Sequence, residues 1–154
     1  MCREMLPFAA GMPENTARLR VGRLLEIRAD AGYRTAADVD ALFDAIDRQL
    51  ARLPGAQQHV TVVDWRRCPV MAPEAAARIA TRIASLNGRT ERSAALASSD
   101  SPVAVLQFLR VIREAGLPDR KLFFDVFEML PWVTEVLTPS EAARLTDFLM
   151  ESPV

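Results

Sequence analysis

Short apolar runs alternate with helical stripes along this chain, and proline or glycine marks each change of period. That alternation is the strongest constraint on the fold. The stretch "HVTVVDW", His59 to Trp65, is apolar on both faces, as befits an interior strand covered on both sides. Two arginines and a loop follow, and Pro73 then suits the first position of a helix, where its missing amide proton is not needed. That helix should run to about Leu86 on Ile79 and Ile83, with Ala76 and Ala80 allowing close approach, and stop at Asn87-Gly88.

The same grammar repeats on either side. Arg18 to Ala29, "RLRVGRLLEIRA", reads as one strand with a wet face, bent or bulged at Gly22, at a sheet edge or in an antiparallel pair. Thr35 and Asp38 form a near capping box for a helix whose stripe is Val39, Leu42, Phe43, Ile46, Leu50 and Leu53, closed by Pro54-Gly55. Glu91 to Ser98 is a third strand of small residues. Ser101-Pro102 opens a helix with the stripe Val105, Leu106, Leu109 and Ile112, ending at Gly116.

Arg120 to Val126 is a fourth strand, in which Phe123 and Phe124 must face opposite sides. Phe127 to Val136 follows as a short helix interrupted at Pro131. Thr138, Pro139 and Glu141 give a full capping box for a last helix, 139–150, with the stripe Ala142, Leu145, Phe148 and Leu149. Strand–helix alternation of this kind predicts an α/β fold with a four-stranded or slightly larger, mostly parallel sheet and an extra C-terminal helix. Residues 17–150 form one domain after a loose leader, 1–16, which a chain of 154 residues accommodates.

Composition narrows the function classes. Net charge is −1, and Lys121 is the only lysine, so the basic excess that nucleic-acid binding needs is missing. No apolar run reaches the roughly 20 residues of a membrane span, and the start lacks the apolar run of a secretory signal. We expect a cytoplasmic chain. Cys2 and Cys68 suggest neither a disulfide framework nor, with a single histidine, a zinc shell.

Catalytic parts are scarce. His59, the only histidine, sits at the start of its strand, the wrong end for a site at strand carboxyl ends. There is no G-x-S-x-G elbow and no glycine-rich phosphate loop, since the first strand–helix connection carries only Gly32. Asp30 and Asp64 fall near strand ends, as in phosphoacceptor domains. The expected second acid is replaced by Ala29, however, and Lys121 begins its strand instead of following it. We therefore expect no enzyme, no cofactor and no metal site. Asp64 is expected to cap its turn or to pair with Arg66 or Arg67.

The stretch "VVDWRRCPVMAPEAAARIA", residues 62–80, resembles the switch region of STAS domains, the SpoIIAA-like anti-sigma-factor antagonists. Asp64 matches the family's strand-end acid and Met71 its methionine. "ERSAALAS" and "RKLFFDVFEMLPWV" resemble the following strand and the closing segment. The family's antagonists place Asp-Ser-Ser-Gly at the helix start; Ala72, Pro73, Glu74 and Ala75 stand there in this chain. The resemblance implies a STAS-like module without the phosphoserine switch. Glu74 then either imitates the phosphorylated state or simply favours the positive end of the helix.

The function expected on this basis is a non-catalytic protein-interaction module of bacterial signalling. Its surface would comprise Asp64, Trp65, Arg66, Arg67, Met71, Pro73, Glu74 and Ser98, and its partner would be an unidentified regulator, such as a kinase or an anti-sigma-like protein. The alternative is a small apolar-ligand or nucleotide-binding domain, with a pocket between the sheet and the closing helices near Phe124, Trp132 and Leu137. A homodimer through the first strand's edge or the terminal helix is left open, because composition does not choose.

Overall fold

The structure is a computed structural model describing residues 12–151. Most of the expected leader, 1–11, lies outside the described residues. Met12 to Glu14 lead into the first strand, which already contains Asn15 and Thr16.

Arg18 to Ala29 forms two strands in place of the single bent one expected from sequence. β1 (Asn15–Val21) and β2 (Leu24–Ala29) pair antiparallel around a turn at Gly22-Arg23. Gly22 has a positive φ of 57°, and a Cβ there would collide with the Glu141 carboxylate, so glycine satisfies both the turn and its close approach to the last helix. Apolar–polar alternation continues through both arms, which is why it cannot reveal the reversal.

From β2 the chain winds in one direction. α1 (Ala36–Leu50), β3 (His59–Asp64), α2 (Pro73–Ala84), β4 (Thr90–Leu96), α3 (Pro102–Ala115) and β5 (Arg120–Phe123) follow in turn. The sheet order is β1-β2-β3-β4-β5, with β2 to β5 parallel. Right-handed crossovers that always step the same way leave every crossover helix on one face. Accordingly α1, α2 and α3 pack on Leu25, Ile27, Ala29, Val63, Ala95 and Ala97. After β5 the chain crosses to the other face. There α4 (Val126–Thr134) and α5 (Pro139–Met150) cover Leu24, Val60, Val62, Ala94 and Leu96. All six residues of β3 are buried, as expected of a strand covered on both faces.

Caps follow the sequence closely. Thr35 accepts from the Asp38 amide and Ser101 from the Ala104 amide, and Thr138 with Glu141 completes a capping box. Asp38 departs from its expected role, because its carboxylate reaches back to the Arg34 amide, at 3.0 Å. β5 ends at Phe123, three residues short of Val126, because Asp125 is the N-cap of α4. Pro131 sits inside α4 and does not interrupt it.

The expected α3 stripe is the largest error in the core. The helix buries Ala104, Phe108, Val111 and Ala115, while Leu106 and Leu109 are 67% and 43% exposed.

Helix α5 is bound to the sheet by polar contacts as well as by apolar ones. Glu141 is buried, and its two oxygens accept from the Thr138 and Arg23 amides at 2.9 and 2.8 Å. Glu26 is buried in β2 and takes a bidentate contact from Arg144, both bonds at 2.8 Å. No helix among the described residues is long and apolar enough to cross a membrane.

Candidate functional site

The carboxyl ends of β3, β4 and β5 open onto a cleft of about 600 Å³, closed on one side by the C-terminal end of α5. Asp64, Arg66, Arg67, Ala97, Ser98 and Ser99 line it, together with Phe124, Leu149, Met150 and Glu151. The topology places it where ligands meet parallel sheets, just beyond the strand carboxyl ends.

Asp64 lies on the α5 face of β3 and is 2% exposed. Its Oδ2 accepts from Arg28 Nη1 at 2.8 Å and from Arg66 Nη2 at 3.0 Å. Its Oδ1 accepts from the Arg66 amide at 3.1 Å and from Arg66 Nε at 3.0 Å. The expected pairing with Arg66 is therefore present, the turn is capped by the same carboxylate, and Arg28 is a partner that sequence reading missed. Arg28 stands opposite Asp64 in the parallel β2–β3 register, a neighbour no local pattern discloses.

The same two arginines reach the end of α5. Arg28 Nη2 donates to the Phe148 carbonyl at 2.6 Å, and Arg66 Nη2 donates to the Leu149 carbonyl at 2.8 Å. Terminal helix carbonyls lack intrahelical partners and carry the negative end of the helix dipole, so two guanidinium groups fit there. The Arg28 guanidinium also lies 4.2 Å from the centre of the Phe148 ring. Hydrogen bonding to Asp64 holds the Arg66 guanidinium above its ordinary pKa. Asp64, Arg28 and Arg66 thus form a latch that fastens α5 over the sheet.

Trp65 and Met71 do not belong to a surface, contrary to expectation. Strand alternation turns Trp65 to the α1–α3 side, where it is 3% exposed and stacked 4.5 Å from Phe108. Its Nε1 donates to the Tyr33 hydroxyl at 3.3 Å. Met71 is 2% exposed, and its backbone is clamped by the Gln107 amide, which accepts from the Met71 amide and donates to its carbonyl, both at 2.8 Å. Cys68, in the same loop, is buried, and burial pushes its thiol up to about 12.

Pro73 and Glu74 are exposed at the start of α2, but apart from the cleft; Pro73 lines a separate groove of about 260 Å³ between α2 and α3. Of the eight residues expected at one surface, the cleft collects Asp64, Arg66, Arg67 and Ser98. Arg67 is exposed and makes no ion pair among the described residues. Ser99, next to Ser98 in the same loop, joins them; Phe124 and Met150, which sequence reading did not include in the surface, are 49% and 57% exposed.

Asp30 begins the β2–α1 connection nearby. Burial, and then the Asp64 charge, hold its carboxyl above the usual range, and its Oδ1 has no hydrogen-bond partner.

His59 lies at the opposite end of β3, fully buried. Burial, and then the charges of Arg89 and Arg120, bring it down to about 4. It converges with neither Asp64 nor Glu74. Among the described residues no group of three or more His, Cys, Asp or Glu side chains could hold a metal ion.

Of the residues expected around a ligand pocket beside α4 and α5, Phe124 lines the cleft. Trp132 packs against Phe123 at 5.6 Å, and the Arg92 guanidinium lies 4.6 Å from its ring centre. An internal cavity lies across the sheet, against α1 and α2, lined by Thr61, Phe43, Ile79 and Trp65 among others; its volume is about 40 Å³. That is room for a few waters, far below the several hundred Å³ of a typical ligand pocket.

The molecule is an α/β protein with a mixed five-stranded sheet, three helices on one face and two on the other. Searches for a matching protein family, a similar curated protein or a similar solved structure find none.

Proposed function

We propose that the chain is a non-catalytic interaction module of bacterial signalling, which binds a protein partner in the cleft at the carboxyl ends of β3, β4 and β5. One observation carries this reading: Asp64 and Arg66 are consumed in fastening α5. The groups the cleft leaves free are Arg67, Ser99, Phe124 and Met150, beside a Ser98 hydroxyl that accepts from the Asp100 amide and can still donate. A cation, hydroxyls and half-exposed apolar side chains can recognise a partner, and arginine and aromatic residues are enriched among binding hot spots. The only histidine, buried at the far end of β3, offers no base to this cleft.

The STAS-like reading is part of the proposal. Its support is the order of strand-end Asp64, buried Met71 and a helix opening at Pro73. Pro73 and Glu74 stand exposed at that helix start, so binding here would be constitutive and not switched by a serine phosphate. The partner would be a regulatory protein with an acidic group to meet Arg67.

The test uses Arg67→Glu and Ser99→Glu, separately, in affinity capture from the host with mass spectrometry. Both should abolish capture of the same partner while the melting temperature stays within about 2 °C, as surface substitutions usually allow. Capture unchanged by both variants would remove the cleft from consideration.

A further inference from the structure

The amino ends of β3, β4 and β5, at the far end of the sheet from the cleft, gather unused hydrogen-bonding chemistry. Four buried side-chain atoms lack a hydrogen-bond partner among the described residues. Three of them, His59 Nδ1, Arg89 Nε and Arg120 Nε, lie at this end. Orphaned polar groups that cluster in this way mark a place for a water or an ion.

Sheet register arranges the surrounding groups about the internal cavity. Thr61 stands opposite Ser93, and Ser93 opposite Arg120, so the three form a row across neighbouring strands. Strand alternation puts this row on the same face as Val63 and Ala95, beneath α1, α2 and α3. All three residues are buried and line the cavity, as does His59. The Thr61 and Ser93 hydroxyls make no hydrogen bond among the described residues. Neighbouring strands lie about 4.8 Å apart, so a guest above Ser93 is flanked by Thr61 on one side and Arg120 on the other.

Arg120 carries a charge that nothing offsets. It is 8% exposed, and its Nη1 donates to the Asn87 side-chain oxygen at 2.8 Å and to the Gly116 carbonyl at 2.9 Å, both neutral acceptors. Its Nε and Nη2 donate to nothing among the described residues. Neither Arg120 nor Arg89 forms an ion pair among them. Burial lowers the Arg120 guanidinium to about 10, with no carboxylate acting to restore it. His59 supplies no negative charge either. The Thr90 hydroxyl donates to the Leu86 carbonyl at 2.8 Å and so accepts from His59 Nε2, at 3.4 Å, which leaves the ring neutral. A buried charge ordinarily has a counter-charge, because isolation in the interior is costly.

We propose that the cavity binds a small inorganic monoanion of about chloride size, held by the Arg120 guanidinium and the Thr61 and Ser93 hydroxyls. Charge and size select this ligand. Water would satisfy the hydroxyls but leave the guanidinium unneutralised, whereas a monoanion accepts from all three groups and supplies the missing charge. A volume of about 40 Å³ admits an ion scarcely larger than a water and leaves no room for an organic anion such as gluconate.

Thermal melts at fixed ionic strength test the proposal, with sodium chloride replacing sodium gluconate over about 1–200 mM, a range suited to weak single-site binding. Fixed ionic strength removes screening from the comparison. At about ten times its dissociation constant, chloride should raise the melting temperature by roughly 3–6 °C. Thr61→Val and Ser93→Ala each remove one donor and leave an apolar group in its place. Each should raise the chloride dissociation constant about tenfold, as expected for a hydrogen bond to a charged group. A melting temperature indifferent to the exchange of gluconate for chloride would overturn the proposal. So would a response that both variants retain in full, which would assign it to anions at the surface. Arg67→Glu should leave the response intact, which separates this result from the fate of the cleft.

Discussion

Replacing Asp64 by Asn separates a latch from a recognition residue. The asparagine keeps the shape of the side chain but removes the charge and turns an amide donor towards guanidinium donors. Asp64 now accepts four hydrogen bonds, three of them from arginine side chains. Removing one member of a buried ion pair typically costs about 3–5 kcal/mol. The lower end applies here, because the Arg66 side chain is 34% exposed and both arginines keep their α5 carbonyls. We expect a loss of about 3 kcal/mol, or a fall of roughly 6–12 °C in melting temperature for a chain of this size. Urea unfolding at pH 7 measures the first and a thermal melt the second. Hydrogen exchange should show the amides around Leu145 to Leu149 opening faster than those of β3, because the latch fastens α5. A loss below about 1 kcal/mol, with α5 protection unchanged, would show that the carboxylate does not hold the helix.

Two further outcomes concern protons. Burial holds His59 neutral in the fold, with a pKa of about 4 against 6.5 when free. Stability is then complete above pH 6.5 and is lost as pH falls towards 4, by at most about 3 kcal/mol. Urea midpoints at pH 7 and 4.5 should show the drop, and His59→Gln should flatten it; an equal drop in the variant refutes the assignment. Asp30 acts with the opposite sign. Its raised pKa means that stability is lost as pH rises from 3.8 through the folded value, so the ionised carboxylate is a burden at neutral pH. Asp30→Asn should gain about 1 kcal/mol or less at pH 7, with the gain vanishing in acid. Melts at both pH values decide it, and a destabilised variant at pH 7 would be the contrary result.

Local chemistry carried the sequence reading a long way. Thr35, Ser101 and the Thr138–Glu141 box all cap where their spacing places them, because a cap depends only on residues within one turn. Pro73 opens α2 for the same reason. The β1–β2 hairpin was missed because Gly22 serves equally as a bulge or as a turn. What selects the turn is Glu141, more than a hundred residues away in sequence. The candidate site shows the same division. Asp64 and Arg66 are two residues apart and their pairing was legible, whereas Arg28, Phe148 and Leu149 reach the same cluster only through sheet register and the return of α5. The inward turn of Trp65 was open to strand alternation, but nothing in sequence placed Phe108 beneath its ring.

Helix α3 failed for a different reason. Its sequence is apolar at Val103, Ala104, Val105, Leu106, Phe108, Leu109, Val111 and Ile112, so two stripes compete and periodicity alone cannot rank them. The sheet selects the stripe containing Phe108, since Trp65 offers that ring a stacking partner. The rejected stripe remains apolar. A helix apolar on most of its circumference is ordinarily buried on more than one side, and α3 has sheet and α2 on only part of it. The same residues that misled the sequence reading therefore remain as an exposed apolar stripe. Substituting Leu106 and Leu109 by Gln should leave stability, measured by urea unfolding, within about 0.5 kcal/mol, as for ordinary exposed positions. A loss of several kcal/mol would instead place that stripe in the core.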